Sequence, residues 1–219
     1  MHPSSNDSTL TDRTASMLVA ALEHTWQAIR QRHPEVPAAV LVVASGGEGK
    51  RLNLGHFAPH RWQVHDADRH EVLVGGEGLR RSAVEVLGTL LHEAAHGLAF
   101  ARQVQDTSRQ GRYHNRRYAA LARELGLEVR AREPIGWSVT SVPEATARAY
   151  AGQLEELAVA LVLWRRLETA ATRAGRSRNL LACVCSCGRR IRVAASTLAD
   201  APILCGACAQ PFEPEGEAG

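Results

Sequence analysis

Long apolar runs are missing from this chain, and so is nearly all lysine. The longest apolar stretch, Leu157 to Trp164, is broken off by Arg165 and Arg166, well short of the roughly 20 residues a membrane span needs. No membrane association is therefore expected. Lys50 is the only lysine among 26 basic residues, a bias that reflects genomic base composition more than selection for nucleic acid. No secretory leader and no internal repeat are visible. Cysteine is absent from the first 182 residues, and all five cysteines fall between Cys183 and Cys208. An odd number clustered in this way argues against a disulfide framework and for a reducing, cytoplasmic location. The glycine-rich segment Gly46-Gly47-Glu48-Gly49-Lys50 lacks the spacing of a phosphate-binding loop and leads into no helical pattern, so it reads as a hairpin turn.

What is present describes a globular α+β protein. The 219 residues with 45% hydrophobic content support one sizeable core and a small appendage. Residues 1–12 and 213–219 are polar and poor in bulky side chains, and read as disordered ends. The main domain covers 13–173, and a cysteine-containing module covers 180–212. The arginine-rich segment Thr172 to Asn179 joins the two. Helical spacing marks Thr14 to Arg32, with Pro34 beyond its end, then Leu79 to Gln103, His114 to Leu125, and Val142 to about Arg173. Ser141 and Glu144 have the spacing of a capping box for the last helix. Strands are expected at Ala38 to Ala44, Arg61 to Val64 and Glu71 to Val74.

The chemistry concentrates at His92-Glu93-Ala94-Ala95-His96, set among Leu87, Leu90, Leu91 and Leu98. Residues four apart share a helix face, so two imidazoles can bind one zinc from one rigid element. Glu93 is badly placed as a further ligand but can reach a water on the metal. Zinc brings the pKa of such a water down toward 7, and a carboxylate beside it takes the proton. Buried without a metal, this cluster would be costly. Catalytic zinc usually has three protein ligands and an open position. Candidates for the third are His114, at the start of the short helix, and Glu124 and Glu128. The long metzincin motif is excluded, because Ala99 and Arg102 stand where it needs Gly and His.

His92-Glu93-Ala94-Ala95-His96, a loop, and then His114 with Tyr118 four positions later resemble the SprT-like metalloproteases, the group that includes Spartan. The resemblance covers about Thr14 to Leu127. It implies a zincin core of helices and a small antiparallel sheet, a catalytic zinc on His92, His96 and His114, and Glu93 as general base. Family members often have Gly after the third His. Here Asn115, Arg116 and Arg117 follow, so contacts with substrate at that rim are expected to differ.

The cysteines supply a second cluster. Cys183, Cys185 and Cys187 precede Gly188, and Cys205 and Cys208 flank Gly206 and Ala207. Two knuckles joined by a hairpin-like segment describe a zinc ribbon with a structural zinc. Cys185, Cys187, Cys205 and Cys208 are the expected ligands, and Cys183 is spare, because Cys-x-Cys-Gly mirrors Cys-x-x-Cys-Gly. Gly188 and Gly206 are expected to make the tight turns that aim amides at sulfur. Many SprT-like proteins also end in such a ribbon.

His56, His60, His65 and His70 share no single strand face and read as surface or loop histidines. Arg176, Arg178, Arg189 and Arg190 belong to a basic stretch between Trp164 and Val193 and form a candidate phosphate-binding surface. The function expected is a cytoplasmic zinc endopeptidase acting on a protein substrate, with candidate donors to the transition state in Tyr113, Tyr118 and Arg112 and a candidate association with DNA. The competing expectation is a non-catalytic binding protein with structural zinc in both places.

Overall fold

A computed structural model describes residues 5–48, 51–167 and 180–215. The chain divides into two compact units, Met1–Leu167 and Glu168–Gly219. The first is a mixed α and β unit built around two long helices. Helix α1 (Ser5–Arg32) buries Leu18, Leu22, Trp26 and Ile29 along one stripe. Three- and four-residue spacing brings these side chains to one face. The indole of Trp26 donates to the carbonyl of Pro37 at 3.2 Å, which ties the end of α1 to the strand that follows. The helix starts inside the stretch expected to be disordered, because extending a formed helix adds a hydrogen bond for each residue ordered. Residues 1–4 lie outside the described residues.

Strand β1 (Ala39–Ala44) pairs in parallel with β5 (Ala67–Gly75), which pairs antiparallel with β4 (Gly55–Val64). The sheet order is β1-β5-β4, so this sheet is mixed where an antiparallel one was expected. Both β4 and β5 are longer than their apolar cores suggest, since their outer halves are exposed and carry no burial signal. Between β1 and β4 the short strands β2 (Gly47–Glu48) and β3 (Arg51–Leu52) pair antiparallel. This is the hairpin expected from the glycines, and its residues 49–50 lie outside the described residues.

Helix α2 (Ala83–Ala101) follows a 3₁₀ turn at Gly76–Arg80. It begins with a full capping box: the Ser82 hydroxyl accepts from the Glu85 amide, and the Glu85 carboxylate accepts from the Ser82 amide at 3.0 Å. Val86, Leu87, Leu90, Leu91, Ala94, Ala95 and Leu98 are buried on its core side. Strands β6 (Thr107–Ser108) and β7 (Tyr113–His114) come next, then helix α3 (Arg116–Glu124), β8 (Glu128–Arg132) and β9 (Gly136–Ser141). The four strands form a sheet ordered β6-β7-β9-β8. Gly126, at φ +86°, ends α3 in the left-handed conformation expected of it.

The last expected helix is interrupted. Helices α4 (Glu144–Ala149) and α5 (Ala151–Ala160) meet at Tyr150, residues 161–167 are not helical, and the rest of the expected helix, 168–173, lies outside the described residues. A tertiary contact overrides helix propensity here. The buried Glu77 carboxylate holds the Arg165 guanidinium at 3.0 Å, and the Arg165 amide donates to the Gly76 carbonyl. Nor does Ser141 cap α4. It closes β9, where its hydroxyl donates to Glu128, and Pro143 occupies the N-cap. The segment expected as linker, 172–179, lies outside the described residues.

The second unit has β10 (Leu180–Cys185) between β11 (Arg190–Ala194) and β12 (Phe212–Pro214), all antiparallel, with a short helix α6 (Ala195–Asp200). Phe212, Cys183, Cys185 and Cys205 make its small core. The last strand runs two residues past the expected boundary at 212, and residues 216–219 lie outside the described residues. Among the described residues, no helix is long and apolar enough to cross a membrane.

Removing the α2 cap is expected to cost measurable stability. Ser82→Ala should lower the unfolding free energy by about 1 kcal/mol, read as a lower denaturant midpoint at unchanged slope.

Candidate functional site

The helical repeat of α2 places His92 and His96 one turn apart with Glu93 next to His92, and the chain reversal after Val104 returns His114 to them. The Nε2 atom of His114 lies 3.2 Å from that of His92 and 3.1 Å from that of His96. Nitrogen ligands at about 2.0–2.1 Å from a tetrahedral ion stand roughly 3.3 Å apart, so this spacing fits one metal ion. Protons shared among the rings do not satisfy the cluster equally well. If His96 gives its proton to Asp106 through Nδ1, its Nε2 is an acceptor, and His114 can then donate to only one neighbour. An electron-pair acceptor common to all three resolves this. These three histidines form a group that could hold a metal ion.

Local structure explains how His114 is held. Its amide donates to the Ile135 carbonyl at 3.1 Å, and β7 pairs with β6 on one side and β9 on the other. Asn115, the residue after His114, is the N-cap of α3. Its Oδ1 accepts from the Arg117 amide at 2.7 Å and the Tyr118 amide at 3.2 Å, and its Nδ2 donates to the Gln105 carbonyl. It thus fixes the turn that delivers His114. Glu124 pairs with Arg102 at 2.7 Å, and Glu128 is exposed on β8 beside Ser141. Neither rival ligand joins the group.

Around the imidazoles the outer partners are uneven. Asp106 Oδ2 lies 2.5 Å from His96 Nδ1, and His92 Nδ1 lies 3.4 Å from the Thr140 hydroxyl. Among the described residues, His114 Nδ1 is buried without a hydrogen-bond partner. Burial, aided by the neighbouring rings, holds His92 well below the ordinary histidine pKa, and burial brings His114 down to about 4. Both are therefore neutral near pH 7, as ligands must be. Burial is the largest influence on His96 and lowers its pKa, but the hydrogen bond to Asp106 and the negative charges of Glu93 and Asp106 together outweigh it, so that pKa is raised. Asp106 carried no spacing signal in the sequence, since only the folded loop brings it to His96.

Glu93 is 4% exposed, and burial pushes its pKa up to about 7. The amide of Phe57, on β4, donates to it. β4 is an edge strand. Leu54 accepts from Gly75 at 2.9 Å, so by strand alternation the backbone groups of Gly55 and Phe57 face the open edge. A methyl at Gly55 would stand 3.0 Å from Glu93 Oε1 and 2.9 Å from the Thr89 methyl. Glycine there lets α2 lie close enough for the strand amide to reach the carboxylate. Between β4 and the histidines runs a cleft of about 600 Å³, lined among others by Asn53, His56, Phe57, Glu93, Thr107 and the three histidines.

Of the three expected donors, none lines this cleft. Tyr118 is fully buried, with its ring centroid 4.5–4.9 Å from all three imidazoles. Tyr113 stacks with Arg109, and Arg112 bonds Gln110. The polar side chains that do face the cleft besides the histidines, Glu93 and Asp106 are Asn53, His56 and Thr107. No residue spacing announced them. His56, His60, His65 and His70 form no metal group among the described residues. A bulge between Ala58 and Trp62 nevertheless sets the rings of His60 and His70 5.0 Å apart.

In the second unit, Cys185, Cys187, Cys205 and Cys208 bring their sulfurs together, with neighbouring separations of 3.2, 3.5 and 3.7 Å. This group too could hold a metal ion. Sulfurs on a tetrahedral ion at about 2.3 Å stand roughly 3.75 Å apart, which fits. Backbone amides aimed at sulfur lower the pKa of Cys185 and bring Cys205 to about 6. Cys183 is fully buried in the small core and outside the group. Gly188 has φ +84°, as the first turn requires; at the second knuckle Ala209, not Gly206, is left-handed, at φ +57°. Arg176 and Arg178 lie outside the described residues, whereas Arg189 and Arg190 are exposed, the latter paired with Glu215 at 2.8 Å.

The arrangement defines a two-centre candidate metalloprotein with an open cleft at its histidine centre. Compared with protein-family models, with curated proteins and with solved structures, the chain matches none.

Asp106→Ala should weaken metal binding at the histidine centre about 10- to 100-fold, measured by chelator competition, with the circular dichroism spectrum unchanged. Cys185→Ser should reduce the metal content from two ions to one and loosen the second unit, because metal binding and folding of such a module are linked. Cys183→Ser should keep both ions, as counted by native mass spectrometry.

Proposed function

We propose that the chain is a zinc-dependent endopeptidase of SprT-like type, with a zincin core and a zinc ribbon. The observation that carries this reading is the buried Glu93 carboxylate beside three converging imidazoles, on the floor of a cleft open along an edge strand. His92, His96 and His114 would hold the catalytic zinc, and Cys185, Cys187, Cys205 and Cys208 the structural one. A zinc ion on three imidazoles with one open position polarises a carbonyl and makes water acidic enough to lose a proton near neutrality.

The chain's own groups supply the rest. Glu93 accepts a proton from water at its carboxylate and returns it to the leaving amine. Burial brings its pKa to about 7, and a cation on the neighbouring imidazoles would pull it back down, so that the carboxylate would be ionised with the ion in place. The Phe57 amide holds the carboxylate in place. The open edge of β4 offers backbone groups to an extended peptide, and a cleft of about 600 Å³ has room for several residues of it. A purely structural metal site needs neither the carboxylate nor the cleft, which favours this reading over a non-catalytic binding protein. Exposed Arg189 and Arg192 on the second unit support an association with nucleic acid through phosphates.

Glu93→Gln should retain both ions and lose peptide hydrolysis by a factor of about 10² or more. Casein cleavage alongside a zinc count checks both halves, and an active Glu93→Gln protein would overturn the reading. Binding to duplex DNA should fall linearly in log affinity against log salt, and Arg189→Ser with Arg192→Ser should flatten that slope. A wild-type chain without DNA affinity at low salt would remove nucleic acid from the reading.

A further inference from the structure

The helix stripe that carries the metal-binding residues does not end with His96. Four residues on, at about 6 Å along the axis, stands Phe100, on the same face of α2 and lining the same cleft. It is 39% exposed, at the end of a helix whose middle, from Val86 to Ala99, has no exposed residue. Phe57, Pro59 and Val104 line the cleft around it.

Phe100 is also braced from behind. Its ring centroid lies 5.0 Å from His70, 5.4 Å from His60 and 6.0 Å from Phe57. The His70–Phe100 and His60–Phe100 contacts are edge-on, a favourable aromatic geometry. His60 reaches this place through the bulge in β4, where it takes φ +54°, and its amide donates to His70 Nδ1 at 3.2 Å. The acids closest by are already engaged. Asp68 lies 3.3 Å from His60 Nδ1, and Glu71 holds His56 and the Trp62 indole.

From this placement we infer that the Phe57–Phe100 end of the cleft is a specificity subsite for one large apolar or aromatic side chain of the substrate peptide. The inference rests on the peptidase reading and names the substrate class for it. In an extended peptide, side chains on one face repeat every two residues, at about 6.6 Å. That matches the one-turn step from His96 to Phe100. A peptide bond held at the histidines therefore sets a side chain one or two residues away against Phe100. A carboxylate in that place loses water to the rings of Phe57 and Phe100, which return no hydrogen bond, whereas an apolar side chain covers Phe100.

The test uses the zinc-loaded full chain and one series of otherwise identical peptides, with Phe, Leu, Ala, Glu or Arg at a single position scanned across the cleavage site. At one position on one side of the cleaved bond, Phe and Leu peptides should show kcat/KM about 10- to 100-fold above Ala and further above Glu. Binding of the same peptides to the Glu93→Gln protein, read by fluorescence anisotropy, should rank them alike. Phe100→Ala should collapse the ranking in both measurements. His60→Gly, which removes a bracing ring while suiting the left-handed backbone, should narrow it. Cleavage and binding indifferent to the scanned residue would overturn the subsite and leave the peptidase standing. Ranked binding lost in Phe100→Ala, with no peptide cleaved by wild type, would support the subsite and overturn the peptidase. Neither cleavage nor ranked binding would sink both.

Discussion

Burial of α2 is the constraint on which the candidate site depends. One side of this helix carries Val86, Leu87, Leu90, Leu91 and Leu98 into the core, each at most 1% exposed. The other carries His92, His96 and Phe100 to the cleft. Truncating a single buried leucine to alanine costs about 2–5 kcal/mol, against a typical total stability of about 5–15 kcal/mol. The rotation of α2 about its axis is therefore set by the core and not by the residues that could hold a metal. With the helix so fixed, the imidazole face is presented whether or not an ion is bound, which is the preorganisation a reactive centre needs.

Close approach of α2 to the edge of β4 follows from the same packing. Gly55 leaves room for Glu93, and the Phe57 amide meets its carboxylate. A buried carboxylate is costly unless it is bonded or neutralised, and the elevated pKa of Glu93 records that cost. The pairing strand thus serves two ends, since its inner groups complete the sheet while its outer groups face the cleft. The histidines are supported less evenly. His96 has Asp106 behind it, whereas His114 depends on its backbone, held by β6, β9 and the Asn115 cap.

Much of the architecture was legible in the residues. The stripe of Leu18, Leu22, Trp26 and Ile29, the apolar run of β1 and the glycine after α3 each express a local periodicity or a backbone need, and the structure has helix, strand and stop there. Other elements were not legible. The Ser141–Glu144 spacing imitates a capping box but lies at a strand end, and the real box at Ser82 and Glu85 has the same letters. Which of the two caps a helix depends on what the preceding residues pair with. The early end of α5 depends on Glu77, eighty-eight residues upstream of Arg165. Propensity has no access to a partner at that distance.

By itself, the sequence determined what the helical period and cysteine spacing control: that His92, Glu93 and His96 share a neighbourhood, and that two knuckles could meet. Spacing alone left His114, Glu124 and Glu128 open, and tertiary structure separated them, returning β7 to α2 while engaging Glu124 with Arg102 and leaving Glu128 on the surface. It also decided the parts that have no signature at all, namely Asp106 behind His96, the Phe57 amide at Glu93 and the ring cluster around Phe100. These come from different segments, brought together by burial of apolar surface elsewhere. Hydrophobic burial is non-directional and acts through the whole chain, so the contacts it creates are written in no short stretch of residues.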